Sequence, residues 1–129
     1  MTDIDRIAIP EIVLRWSSWY GWQDLVRDAR QGGVTIPNGQ PGVYEVKRPD
    51  SEERLTIGKA SDLRMRIRQG LIKGKIPHSP GERMRAEGVD CARLLVRWAV
   101  TERPAAVEEE LHRRYRDRFG KLPEYTKRT

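Results

Sequence analysis

The most informative stretch of the chain is residues 43–58, which read VYEVKRPDSEERLTIG. The β-prone run Val43–Lys47 is followed by a polar, turn-forming segment at 49–53. A second β-prone run, Leu55–Ile57, ends at Gly58. Two such runs, bounded by turn-forming residues, predict a β-hairpin. This hairpin is the reference point for assigning the rest of the chain.

Downstream of the hairpin, helix and strand patterns alternate. The predicted elements are a helix from Ser61 or Asp62 to about Gly74, a short helix from Ser79 to about Gly88, a strand at 92–100 and a helix from Pro104 to Phe119. Each helix begins at a good N-cap or at a first-turn proline. The order of elements predicts an α+β fold, in which helices pack on a small antiparallel three-stranded sheet.

Upstream of the hairpin, residues 20–31 carry apolar side chains at spacings of 3, 4 and 7, which predicts an amphipathic helix. A turn-rich segment with two prolines and a glycine follows at 37–41. We therefore expect residues 1–38 to form a Trp-rich helical extension and residues 39–129 to form the main domain. Three tryptophans recur every third residue at 16, 19 and 22, a spacing that suits either core packing or stacking on unpaired bases.

The composition is that of a basic protein, for which nucleic acid is the first partner to consider, although many small basic domains bind none. The chain has 129 residues, 25 Lys and Arg against 19 Asp and Glu, and a net charge of +6. Such an excess suits the phosphate backbone of DNA. A single cysteine, Cys91, excludes an internal disulfide and a multi-cysteine metal site. No apolar stretch is long enough for a membrane span and residues 1–6 do not resemble a secretory signal, so we expect a cytoplasmic protein without a membrane partner.

One carboxylate is out of place in the last predicted helix. At 100° per residue, Val107, Leu111 and Phe119 lie on an apolar stripe, and Glu108 projects into the middle of it. A carboxylate directed at a core face is costly unless it is paired or holds a metal. Two interpretations stay open: a buried salt bridge to an arginine, or a metal ligand on a rigid element. His112, four positions later, lies where it can share a metal or a hydrogen bond with Glu108.

An arginine in the helix after the hairpin raises a similar question. Arg66 lies at the edge of the inner stripe, about 60° from Leu63 on a helical wheel, whereas Met65 and Arg68 point outward. An edge arginine can extend to solvent without any function. Arginine is also the preferred planar, multi-donor partner for a phosphate.

These residues belong to a longer pattern that resembles the signature of the GIY-YIG nucleases. Gly42-Val43-Tyr44 corresponds to the Gly-Ile-Tyr strand of the family, and residues 56–66 correspond to its Tyr-Ile-Gly strand and the helix with an essential arginine. Residues 106–111 resemble the family's glutamate-bearing helix, and residues 123–126 its Pro-x-x-Asn ending. The run at 58–66 is especially similar to the N-terminal incision domain of bacterial excision-repair nucleases. The resemblance covers about residues 40–126.

The resemblance implies a role for each matching residue. Tyr44 would activate or position a water, Arg66 would clamp the scissile phosphate, and Glu108 would bind one Mg²⁺ or Mn²⁺. Lys59 matches a lysine of the excision-repair branch and would lower the pKa of a nearby tyrosine. The remaining side chains expected to contact the substrate are Arg64, Arg68, Thr56 and Thr126. The substrate would be DNA, single- or double-stranded, and a homodimer stays open because one such site cuts one strand.

Two positions depart from the family pattern. The tyrosine of the second motif is replaced by Thr56, which has no phenol, and the closing asparagine is replaced by Thr126, which has a hydroxyl in place of an amide. We therefore predict a metal-dependent endonuclease whose activity is weak or intact, and we keep two alternatives. These are a DNA-binding module without turnover, and a protein-interaction module in which the Trp-rich N-terminal region binds a partner.

Overall fold

The hairpin predicted from residues 43–58 is present at the centre of one antiparallel sheet. The computed structural model describes Arg6 and residues 11–126. Its elements, in chain order, are β1 (Tyr20–Gly21), α1 (Trp22–Arg30), β2 (Gly42–Lys47), β3 (Arg54–Ala60), α2 (Leu63–Met65) continuing into a π-helix (Arg66–Ile72), α3 (Pro80–Ala86), a short 3₁₀ helix (Cys91–Arg93), β4 (Leu95–Val100) and α4 (Pro104–Phe119). The fold is α+β, as expected from the order of the patterns.

The sheet has four strands in the order β1-β4-β2-β3, all antiparallel. The prediction of three strands was one short, because β1 pairs its two residues with Val96 and Leu95 at the edge of β4. A two-residue strand is too short to show the period-two alternation that identifies strands in a sequence. The sequence pattern predicts that its first residue, Tyr20, belongs to the helix, whereas the helix begins only at Trp22.

The helix after the hairpin changes its geometry within one turn. Asp62 caps α2 by accepting a hydrogen bond from the Met65 N–H, and the chain then winds as a π-helix. The amide of Lys73, for example, donates to the carbonyl of Arg68, five residues back. A π-helix is rare and is frequently found at functional sites. It places Arg66 at its first position, directly behind the hairpin.

Residues upstream of the hairpin pack into the same core as the hairpin itself. Trp22, Leu25 and Ile36 are buried in one apolar cluster with Tyr44 and Leu63. Of the two interpretations of the tryptophans, core packing therefore holds for Trp22. The part of the N-terminal region that the structure describes thus shares its hydrophobic core with the sheet.

Two further tryptophans, Trp16 and Trp19, cover basic side chains on the sheet. The guanidinium of Arg97 lies 4.1 Å from the ring centre of Trp16 and 4.5 Å from that of Trp19. Beneath them, the buried carboxylate of Glu45 accepts hydrogen bonds from Arg97 and Arg54. Cation–π contacts of this kind contribute about 0.5–2 kcal/mol each. They hold the chain that leads into β1 against the sheet.

Within residues 11–126, no helix has both the length and the apolar character needed to cross a bilayer.

Candidate active site

A cavity of about 300 Å³ opens where the hairpin, the start of the π-helix, the loop 76–80 and α4 meet. Six of the eight side chains predicted for the site line it: Tyr44, Thr56, Lys59, Arg66, Glu108 and Thr126. They come from four separate parts of the chain, so the sheet and its helices bring together residues as much as 82 positions apart.

The other two predicted residues, Arg64 and Arg68, do not line this cavity. The Arg64 Nε donates to the carbonyl of Ile36 at 2.8 Å, and the Arg68 Nη2 donates to the carbonyl of Gly33 at 2.7 Å. Arg68 also pairs with Asp28 at 3.3 Å. Both guanidinium groups therefore tie the helix to the N-terminal region. Residue spacing could not show this, because their partners lie about 30 positions upstream.

Tyr44 lies in the floor of the cavity, across the glycine of the neighbouring strand. Tyr44 and Gly58 are register partners in β2 and β3. A Cβ atom added to Gly58 would lie only 2.6 Å from the Tyr44 hydroxyl, so any other residue at 58 would displace the ring. Glycine is therefore needed at position 58, because the Tyr44 ring occupies the space that a side chain there would fill.

The Tyr44 phenol holds its proton strongly. Burial raises its pKa to about 12, with the charge of Glu108 acting in the same direction and that of Arg66 opposing it. The cation that lowers this pKa is therefore Arg66, while Lys59 is exposed at the rim of the cavity. A phenol in this state orients a water or a phosphate oxygen by donating a hydrogen bond. It does not serve as a base near neutral pH.

Arg66 reaches the cavity along a groove left by another glycine. A Cβ atom added to Gly70 would lie 3.2 Å from the Arg66 Cδ, so the side-chain stem passes close over this residue. The Arg66 Nε is buried and has no hydrogen-bond partner among the described residues. A buried donor without a partner costs about 1–3 kcal/mol. An anionic oxygen in the cavity would relieve this cost.

Glu108 is the carboxylate of the site. It is 7% exposed, lines the cavity, and forms no salt bridge with any described residue. The first interpretation, an ion pair with an arginine, is therefore wrong for this part of the chain. The His112 Nε2 contacts the carbonyl of Ile57 at 2.9 Å, which anchors α4 on β3. His112 therefore positions the helix that carries Glu108, and its hydrogen bond is to the β3 backbone and not to Glu108.

The donor set around Glu108 fits a magnesium-type ion better than zinc. Within the described residues, no group of three or more His, Cys, Asp or Glu side chains could enclose a metal. Mg²⁺ usually keeps several waters and binds through one or two carboxylates together with substrate phosphates, whereas a zinc site needs three or four protein ligands. A single carboxylate that faces an open cavity therefore suits Mg²⁺ and not zinc.

The two positions that depart from the family pattern lie side by side. The hydroxyl oxygens of Thr56 and Thr126 are 3.4 Å apart, and the Thr126 oxygen accepts a hydrogen bond from the Ile57 amide at 3.0 Å. The Tyr125 amide donates to the carbonyl of Leu55 at 2.8 Å. The C-terminal segment is thus held along the free edge of β3.

Among the lining residues that were not predicted for the site, two carry titratable side chains, His78 and Tyr125. His78 belongs to a loop with prolines at 77 and 80, and this loop closes one side of the cavity. Its only signal in the sequence was its place in a proline-rich turn beside the helix of Arg66.

Comparison of the chain with protein-family models, with characterised proteins and with solved structures gave no match.

Proposed function

We propose that this chain is a metal-dependent endonuclease of the GIY-YIG type, which hydrolyses phosphodiester bonds of DNA. The observation that carries the proposal is the convergence of Tyr44, Arg66 and Glu108 on one cavity from three different elements. A cytoplasmic setting and a three-stranded GIY-YIG core, extended by β1, are parts of the same proposal.

The proposed chemistry follows from the charge of each group. Arg66 binds the scissile phosphate through its planar guanidinium and offsets the negative charge that builds in the transition state. Tyr44 donates its phenolic proton in a hydrogen bond and orients the attacking water or a phosphate oxygen. Glu108 would hold Mg²⁺ or Mn²⁺, which when bound would stabilise the phosphate charge and the departing 3′ oxygen. Lys59, at the rim, adds positive charge where the strand enters.

One observation favours a second function. The site has no second phenol at Thr56, and the pKa of Tyr44 is about 12, so neither position supplies a base near neutral pH. A module that binds DNA without cleaving it would keep Arg66 and the basic surface and would need no proton transfer. The two functions therefore differ in whether the protein cleaves the DNA that it binds.

The test is a cleavage assay with supercoiled plasmid and with 5′-labelled single-stranded DNA, in Mg²⁺ or Mn²⁺. We expect the wild type to nick or degrade the DNA, and Glu108→Gln and Arg66→Ala to lose at least about 100-fold in rate. The matched control is Glu109→Gln, which changes an exposed carboxylate next to Glu108. Equal inactivity of wild type and Glu108→Gln, with strongly salt-dependent DNA binding, would support the binding module instead.

A further inference from the structure

The loop 76–80 presents a histidine to the cavity in an unusual backbone conformation. His78 lines the cavity and is exposed at its mouth. Its φ is 61°, the only positive value of a non-glycine residue within the described chain. Such a conformation is uncommon for a residue other than glycine, although histidine adopts it more readily than most, and it is often found at functional sites.

Local contacts enforce this conformation. The His78 amide donates to a carboxylate oxygen of Glu82 at 3.4 Å, and the Ser79 amide donates to the carbonyl of Ile76 at 3.1 Å. Pro77 and Pro80 restrict the chain on either side. These contacts and the two prolines restrain the backbone of the loop that presents the imidazole to the cavity.

The reaction needs a group that accepts a proton near neutral pH, and the other lining residues do not supply one. Tyr44 keeps its proton to about pH 12, and Thr56 has no phenol. Arginine and lysine side chains ordinarily keep their proton at neutral pH, which argues against Arg66 and Lys59, and Glu108 is assigned to the metal. Among the described residues that line the cavity, His78 alone carries an imidazole, the side chain most often used for proton transfer in catalysis.

We propose that His78 is the proton acceptor for the attacking water in this site. The assignment rests on the proposed nuclease function and deepens it. The imidazole takes one proton from a water molecule as the oxygen of that water bonds to phosphorus and the P–O3′ bond breaks. The departing 3′ oxygen takes a proton from solvent and the imidazolium releases its proton to solvent. The products are thus a 5′-phosphate and a 3′-hydroxyl.

The charges around His78 suit this cycle. Glu82 of α3 faces the backbone of His78, while Arg66, Lys59 and Glu108 face the same cavity from the π-helix, β3 and α4. With a DNA phosphate bound, the negative charge beside the ring would favour the protonated imidazole that forms in the reaction. Because the ring is exposed at the cavity mouth, the proton can leave to solvent.

The experiment measures the pH–rate profile of DNA cleavage under single-turnover conditions for the wild type, His78→Asn and His78→Gly. Asparagine and glycine both suit the left-handed backbone, so the variants should fold as well as the wild type or better. We expect a rate loss of about 100-fold or more with unchanged DNA affinity, and loss of the acidic limb of the profile. Free imidazole should restore part of the rate of His78→Gly. Lys75→Gln, an exposed change just before this loop at a residue that does not line the cavity, should keep the wild-type rate at saturating DNA.

The two proposals fail in different ways. If the wild type cleaves DNA and His78→Asn cleaves it within about twofold, with the same pH profile, His78 is not the acceptor and the nuclease function stands. If the rate falls but the acidic limb is kept and imidazole has no effect, His78 has only a structural role. If the wild type does not cleave DNA with either metal, both proposals are overturned.

Discussion

Tyr44 and Arg66 each lie across a glycine, and the two glycines differ in how much room they leave. At Gly58 an added Cβ would meet the Tyr44 ring at 2.6 Å, and the ring is buried and cannot swing aside. At Gly70 it would meet the Arg66 Cδ at 3.2 Å, which is part of a flexible side chain. Both side chains therefore occupy space that is open only because the neighbouring residue is a glycine without a Cβ atom.

We predict that Gly58→Ala lowers both stability and cleavage, whereas Gly70→Ala lowers mainly cleavage. Overpacking beside Tyr44 should cost about 1–3 kcal/mol of unfolding free energy. At Gly70 the gain in helix propensity, about 1 kcal/mol, should offset the free-energy cost of the smaller clash. The added methyl group should nevertheless displace the Arg66 side chain, and with it the guanidinium that faces the cavity. Urea denaturation and single-turnover cleavage measure the two effects. Equal stability losses in both variants would contradict the prediction.

The raised pKa of Tyr44 makes stability depend on pH in the alkaline range. The unfolded chain releases this proton near pH 10, whereas the folded chain keeps it to about pH 12. Between these values the folded state binds more protons than the unfolded state, so the unfolding free energy falls as the pH rises. The contribution is fully present below pH 10, and its loss amounts to about 2–3 kcal/mol.

The check is thermal or urea denaturation of the wild type and Tyr44→Phe from pH 9 to pH 12. The wild type should lose the additional 2–3 kcal/mol relative to Tyr44→Phe over this interval. The pKa values of Tyr115 and Tyr125 are also raised by burial, but both tyrosines are common to the two proteins and cancel in the difference. Parallel pH curves for the two proteins would contradict the burial of this phenol.

At the scale of elements, the free edge of β3 is covered by the C-terminal segment 123–126. A strand at the edge of a sheet exposes backbone donors and acceptors that favour aggregation unless they are covered. Here the Leu55 carbonyl accepts a hydrogen bond from the Tyr125 amide, and the Ile57 amide donates one to the Thr126 hydroxyl oxygen. The same contacts complete one wall of the cavity.

We predict that Thr126→Val destabilises the protein by about 1–3 kcal/mol, because the Ile57 amide loses its acceptor while the side-chain shape is kept. Thr126→Ser, which retains the hydroxyl, should lie within about 0.5 kcal/mol of the wild type. Urea denaturation of the three proteins gives the comparison. A Thr126→Val variant as stable as Thr126→Ser would mean that the hydroxyl does not secure this edge.

At the scale of the whole molecule, the basic residues are less available than their number indicates. Arg113 and Arg114 pair with Glu110, whose pKa is lowered to about 2 by these hydrogen bonds. Arg54 and Arg97 share the buried Glu45. The count of 25 Lys and Arg therefore overstates the number of cations free to contact DNA.

We predict that removing residues 1–38 abolishes cooperative folding. The deletion takes Trp22, Leu25 and Ile36 from the core and uncovers the edge of β4. Each large apolar side chain contributes about 2–5 kcal/mol, which together exceeds the stability of most small domains. Circular dichroism with thermal denaturation measures the loss, and a deletion of residues 1–10 is the control. A fragment 39–129 that unfolds cooperatively and cleaves DNA would show that the main domain is independent.

The hairpin, the helix of Glu108 and the α+β class could be predicted from the sequence, because hydrophobic periodicity, caps and turn residues act over a few positions. The inward direction of Glu108 was visible for the same reason. The tertiary structure decided what depends on distant partners. It brings His78 to the cavity, turns Arg64 and Arg68 toward residues 28–36, and joins Thr56 to Thr126. Side-chain contacts between segments depend on how helices pack on the sheet, and no local pattern in the chain encodes that packing.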